Sequence, residues 1–83
     1  MSAEEMKMTR EAAKLTQADM ANLMGLGQTA YQDLEQGHSK FKPRHQLILE
    51  RVSQRLAVER GDINLALPAA RRDALDLARL IAG

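Results

Sequence analysis

Two glycines one residue apart, Gly25 and Gly27 with only Leu26 between them, set the tightest limit on how this chain folds. Before them, Thr16 with Asp19 three places on reads as a helix N-cap. It opens a short helix from Gln17 to Met24, with Met20, Ala21 and Met24 available for packing. Gly25 tolerates the left-handed conformation that closes such a helix. Gly27 caps a second helix, Gln28 to Gln36, less well than Ser or Asn would, and Gly37 ends it. Two short helices joined by so tight a turn give the outline of a helix-turn-helix.

The flanking segments also read as helices. Ser2 with Glu5 is a capping box for a helix over residues 3–14, with Met6, Ala13 and Arg10 turned inward. After a polar loop from His38 to Lys42, Pro43 stands at a helix start. Leu47, Ile48, Val52 and Leu56 then recur at helical spacing over 44–60, and Gly61 closes the segment. Ile63, Leu65 and Leu67 alternate with Asn64 and Ala66, which is strand-like but short. Pro68 opens a last helix over 69–82. The expected fold is all-α, a compact bundle of about five helices containing the helix-turn-helix. Residues 1–61 would form the helix-turn-helix domain and 62–83 a helical extension packed on it. With one Tyr, one Phe and no Trp, the core should be aliphatic, with the five Met filling gaps.

Composition removes several function classes. The chain has no cysteine, hence no disulfide, thiolate metal site or cysteine nucleophile. His38 and His45 lack ligand spacing and an acidic third partner, so no metal is expected. Ser2, Thr9, Thr16, Thr29, Ser39 and Ser53 have no His–acid arrangement, so no catalytic residue, cofactor or small-molecule ligand is expected. No apolar run approaches the ~20 residues that span a bilayer, and the start lacks a signal peptide's pattern, so a cytoplasmic chain is expected. Arg60-Gly61-Asp62 reads as a helix end followed by a turn.

The net charge is only +1, but it is unevenly placed. Residues 1–35 carry three basic against six acidic side chains, 36–55 carry five against one, and 56–83 balance. The basic block begins where the Gln28–Gln36 helix ends. On a helical wheel, Gln28, Thr29, Gln32, Asp33 and Gln36 share an arc of roughly 140°. Ala30, Tyr31, Leu34 and Glu35 lie opposite. Gln pairs bidentately with adenine, and Thr bonds a base or touches a thymine methyl, so the stripe has the chemistry to read base edges. An ordinary solvated helix face is the alternative.

Residues 10–60 resemble the Cro/cI-type (XRE) helix-turn-helix family, which is lambda repressor-like. The matching residues are Arg10, Leu15-Thr16-Gln17, Ala21, Met24-Gly25, Gly27-Gln28-Thr29 and Leu34-Glu35-Gln36-Gly37. The resemblance implies that Gln28 reads adenine and that Thr29, Gln32 and Asp33 face bases. It implies that Gln17 bonds a phosphate and braces its base-reading partner. Thr16, Gln36, His38, Ser39 and Lys40 would contact the DNA backbone, with Lys42 and Arg44 within reach of phosphates or the adjacent minor groove. Arg10 and Glu35 match a charge pair that ties the first helix to the third, expected here to be largely buried. Gly27 as a cap, Asp33 on the reading face and the loop through Phe41 and Lys42 depart from the usual pattern.

A module this small makes few base contacts, and two copies on a two-fold axis double them. Ala70, Ala74, Leu77, Ala78 and Ile81 form one apolar stripe, widened by Leu75 and Leu80. Ala74, Leu77, Ala78 and Ile81 are the expected dimer contacts, with residues 63–67 pairing across the axis. The expected function is a sequence-specific transcription regulator: a repressor on a short palindrome in double-stranded DNA, acting by occupancy because the chain ends soon after the bundle. Two other readings stay open: the antitoxin of a toxin–antitoxin pair, with a protein partner, and a protein-binding adaptor of the same fold.

Overall fold

The computed structural model describes residues 3–82. Five helices follow one another: α1 (Ala3–Ala12), α2 (Gln17–Leu23), α3 (Gln28–Gln36), α4 (Pro43–Arg60) and α5 (Pro68–Ala82). A 3-10 turn over Ile63–Leu65 precedes the last. The fold is all-α, as the sequence predicts, and no strand occurs among the described residues.

Local chemistry explains the boundaries. Ser2, expected to cap α1, lies outside the described residues. That helix stops at Ala12, before residue 14, because Lys14 takes a left-handed conformation with φ 58°. The Leu15 N–H then closes the end by donating to the Arg10 carbonyl at 3.0 Å. In α2 the capping box is complete: the Asp19 N–H donates to Thr16 Oγ1 at 3.0 Å and the Thr16 N–H to Asp19 Oδ2 at 3.1 Å. Gly27 caps α3 with no side-chain bond, and Gly37 closes it at φ 80°. Pro43 begins α4.

The segment 63–67 is a correction. The Asn64 N–H donates to Asp62 Oδ1 at 3.0 Å and the Ala66 N–H to the Ile63 carbonyl at 3.2 Å. The N–H groups of residues 64–66 close locally and that of Leu67 is taken by Ser53, so the expected strand pairing across an axis is withdrawn.

One core joins Met6, Ala13, Met20, Ala21, Met24, Tyr31, Leu34, Leu49, Val52 and Leu56. It is not wholly aliphatic, since the fully buried Tyr31 is its largest side chain. Leu47 is a second correction: it is 68% exposed, and Leu49 is buried instead. The inward stripe of α4 is rotated onto His45, Leu49, Val52, Ser53, Leu56 and Ala57. Ser53 Oγ donates to the Glu50 carbonyl at 2.8 Å and accepts the Leu67 N–H at 3.1 Å, which ties the last loop to α4. The Arg60 guanidinium reaches the Ala13 carbonyl at 2.8 Å and fastens the far end of α4 to the end of α1.

A smaller cluster of Ala57, Ala66 and Ala70, flanked by Leu65, seats the start of α5 on α4. Beyond Ala74, every residue from Leu75 to Ala82 is exposed. The helix therefore extends from the bundle, and the molecule measures 45 × 24 × 18 Å.

Candidate nucleic-acid interface

Helix α3 packs against α1 and α2, with Tyr31 and Leu34 buried. Ala30, placed on the inner side by the wheel, is exposed and lines a groove with Leu26, Leu34, Ser39, Lys40, Lys42, Arg44 and His45. The groove runs between the turn before α3 and the loop after it.

Beneath the outer face lies a charge pair. Arg10 Nε donates to Glu35 Oε2 at 2.9 Å and the adjacent guanidinium nitrogen to Oε1 at 3.1 Å. The third guanidinium nitrogen donates to the Leu15 carbonyl at 3.2 Å, so one side chain holds α1, the following loop and α3 together. The two side chains are only 15% and 5% exposed. Burial pushes the Glu35 carboxyl upward, but Arg10, the nearby Tyr31 hydroxyl and the Gln17 amide outweigh it and hold it below the usual carboxylate range. The Glu35 hydrogen bond conversely raises the Arg10 pKa. The buried Tyr31 hydroxyl lies beside this pair, and burial followed by its interaction with the Glu35 carboxylate raises its pKa.

From Glu35 the bonding continues outward. Gln17 Nε2 donates to Glu35 Oε1, and Gln32 Nε2 donates to Gln17 Oε1, both at 3.2 Å. The brace that the resemblance implies therefore reaches Gln32, one turn further along α3 than Gln28. Spacing gave no sign of this, because residues 17 and 32 meet only once the turn is folded.

Gln28 and Thr29 are exposed at the leading end of α3. Gln32 and Asp33 are half-buried, while Gln36 is exposed. Asp33 Oδ1 lies 3.8 Å from His38 Nδ1, and its carbonyl accepts the His38 and Ser39 N–H groups at 2.8 and 3.1 Å. Asp33 thus shapes the bend after α3 as well as lying on its face. Thr16 is exposed, its oxygen engaged in the α2 cap. His38, Ser39, Lys40, Lys42 and Arg44 are all exposed along the bend.

The basic block divides. Lys40, Lys42 and Arg44 flank the groove beside α3. Arg51 and Arg55 face another hollow, with Leu23, Val52, Leu56 and Glu59, where Arg55 pairs with Glu59 at 2.9 Å. Sequence reasoning missed His45, whose ring is buried and accepts the Lys42 N–H on Nδ1 at 2.9 Å. Its signal was position: three residues after Lys42, where Glu or Gln closes a capping box. Burial first, then the charges of Arg44 and Lys42, lower its pKa.

A short polar helix held across a tight turn, with a basic loop at its far end, is the geometry of a helix-turn-helix DNA-binding module. A helix-turn-helix family model matches residues 6–63, and the chain belongs to that family, the XRE-type, Cro/cI-like proteins. This makes it a DNA-binding domain of the transcription-regulator type. No curated protein and no solved structure matches the chain. No described helix is long and apolar enough to cross a membrane.

Proposed function

We propose that the chain is a sequence-specific transcriptional repressor that occupies a short palindromic operator as a homodimer. The observation that carries this reading is the outer face of α3. Gln28 and Thr29 stand exposed there, Gln32 and Asp33 follow one turn on, and Lys40, Lys42 and Arg44 line the groove beside the same helix. The amides and hydroxyl address base edges in the major groove, and the cations address phosphates.

The dimer rests on α5. Leu77, Leu80 and Ile81 are 57%, 80% and 87% exposed, and a helix of this length is marginal in water on its own. A second copy laid against Ala74, Leu77, Ala78 and Ile81 covers that stripe and sets two α3 helices about 34 Å apart, one turn of DNA. Selection from random duplexes, with footprint length recorded, tests both parts. The expected result is two inverted half-sites and an affinity that falls steeply with salt. A salt-independent affinity overturns the DNA reading. The same stripe supports a second reading, in which a different protein docks there, as on an antitoxin. Light scattering that shows a monomer at micromolar concentration overturns the homodimer in its favour.

A further inference from the structure

We propose that Gln32 is an oriented reader of bases that present an amino group in the major groove, aimed from inside the protein by the chain Arg10, Glu35, Gln17. The proposal rests on the reading of α3 as base-facing and adds to it a direction that the residue type alone does not contain.

A free glutamine has no preferred polarity. Its last torsion is broad and roughly two-fold, so the carboxamide turns over at little cost and offers either its oxygen or its NH2. Here the choice is fixed one residue at a time. Glu35, held ionised by Arg10, offers only acceptors. Gln17 must therefore turn its NH2 toward Glu35, and the contact is Nε2 to Oε1 at 3.2 Å. That turn points Gln17 Oε1 the other way, toward Gln32. An oxygen accepts and cannot donate, so Gln32 must meet it with its own NH2, again at 3.2 Å. What remains on Gln32 is the whole carbonyl oxygen and one N–H. The polarity thus descends from a single buried charge.

In the major groove, adenine and cytosine present amino groups, whereas guanine O6 and thymine O4 are acceptors. A fixed carbonyl is complementary to the first pair and repelled by the second. Gln32 therefore favours adenine or cytosine on the strand it touches, because guanine or thymine could be met only by the remaining N–H and would leave the carbonyl unpaired. Adenine also offers N7 to the remaining N–H. Gln28, one turn earlier on the same face, is outside this chain of bonds and reads a different position. Gln17, Glu35 and Arg10 act as positioning residues.

The full chain is put through selection from random duplexes as wild type, Gln32→Met, Gln17→Met and Gln28→Ala. Gln32→Met locates the base pair, which in the wild type should favour adenine or cytosine about tenfold or more. Gln17→Met should lose that preference at the same pair and keep the preferences elsewhere, a pattern that general loosening of the fold does not produce. An unchanged preference at that pair in Gln17→Met, or guanine or thymine chosen there by the wild type, overturns the proposal. The free protein supplies a readout without DNA. The Gln32 side-chain amide protons should be protected in the wild type and become solvent-like in Gln17→Met, with the backbone spectrum away from α2 and α3 kept. Unprotected Gln32 protons in the wild type overturn the orientation itself. A wild type that selects no sequence overturns the base reading instead, even if those protons are protected.

Discussion

Replacing Arg10 by Met should remove much of the domain's stability while sparing most of the packing. The methionine retains an aliphatic stem, so what is lost is the guanidinium and its bonds to Glu35 and the Leu15 carbonyl. Left behind is a carboxylate only 5% exposed, with Gln17 as its remaining bonded partner. Removing one member of a buried pair typically costs about 3–5 kcal/mol, because the other charge stays desolvated. At about 0.05–0.15 kcal/mol per residue, an 83-residue chain holds about 4–12 kcal/mol in total. The variant should therefore melt at least about 12 °C lower. Thermal and urea unfolding followed by far-ultraviolet circular dichroism measures this. The near-ultraviolet signal of the single tyrosine, Tyr31, reports the same place because its ring is buried beside the pair. The double variant Arg10→Met/Glu35→Leu should recover part of the loss, since no charge is then stranded. A single variant within about 1 kcal/mol of the wild type, or a double variant whose losses simply add, would refute the reasoning.

Other expectations follow from the caps and the basic loop. His45 has a folded-state pKa below its ordinary 6.5, so stability should be full above that pH and decline as the pH falls. The depressed Glu35 carboxyl adds a second loss as pH falls below 4.5. Urea midpoints between about pH 8 and pH 5 check this, and His45→Gln, which keeps an acceptor for the Lys42 N–H, should flatten the profile there. Gly27→Ser should stabilise α3 by a few tenths of a kcal/mol, since a Cβ there meets nothing within 4 Å and φ is −66°. A higher urea midpoint at unchanged slope is the expected sign. Lys40→Ala should weaken binding to all duplexes alike and reduce the salt slope by about 1, as filter binding at several salt concentrations would show.

What could be read from the sequence was what is encoded locally. Thr16 with Asp19, the glycines around Leu26, and Gly37 fix helix ends through bonds within a few residues, and the helix-turn-helix followed from them. Periodicity was weaker evidence. A stripe through Leu47 and one through Leu49 fit α4 about equally well, and only the core shared with Met6, Met20, Tyr31 and Leu34 decides. The alternation over 63–67 suggested a strand because the pattern of side chains contains nothing about Asp62 capping a 3-10 turn. Tyr31 sits at the centre of the core because its ring fills space beside Arg10 and Glu35, which no count of aromatic residues reveals. The groups on the outer face of α3 were legible as types of residue. Their orientation was not, since the bonds from Arg10 through Glu35 and Gln17 to Gln32 join three helices separated by loops.

That chain of bonds also divides the face of α3 into parts with different freedom to change. Gln28 and Thr29 lean on nothing inside the described protein, so replacing them alters what the surface recognises at little cost to folding. Gln32 is joined through Gln17 to the carboxylate that Arg10 neutralises, so altering it strips Gln17 of its outer partner. New recognition should therefore arise first at the leading end of the helix. Further along, a change of preference requires compensating substitutions beneath the surface, and lineages descending from this chain would keep that half of their target longest.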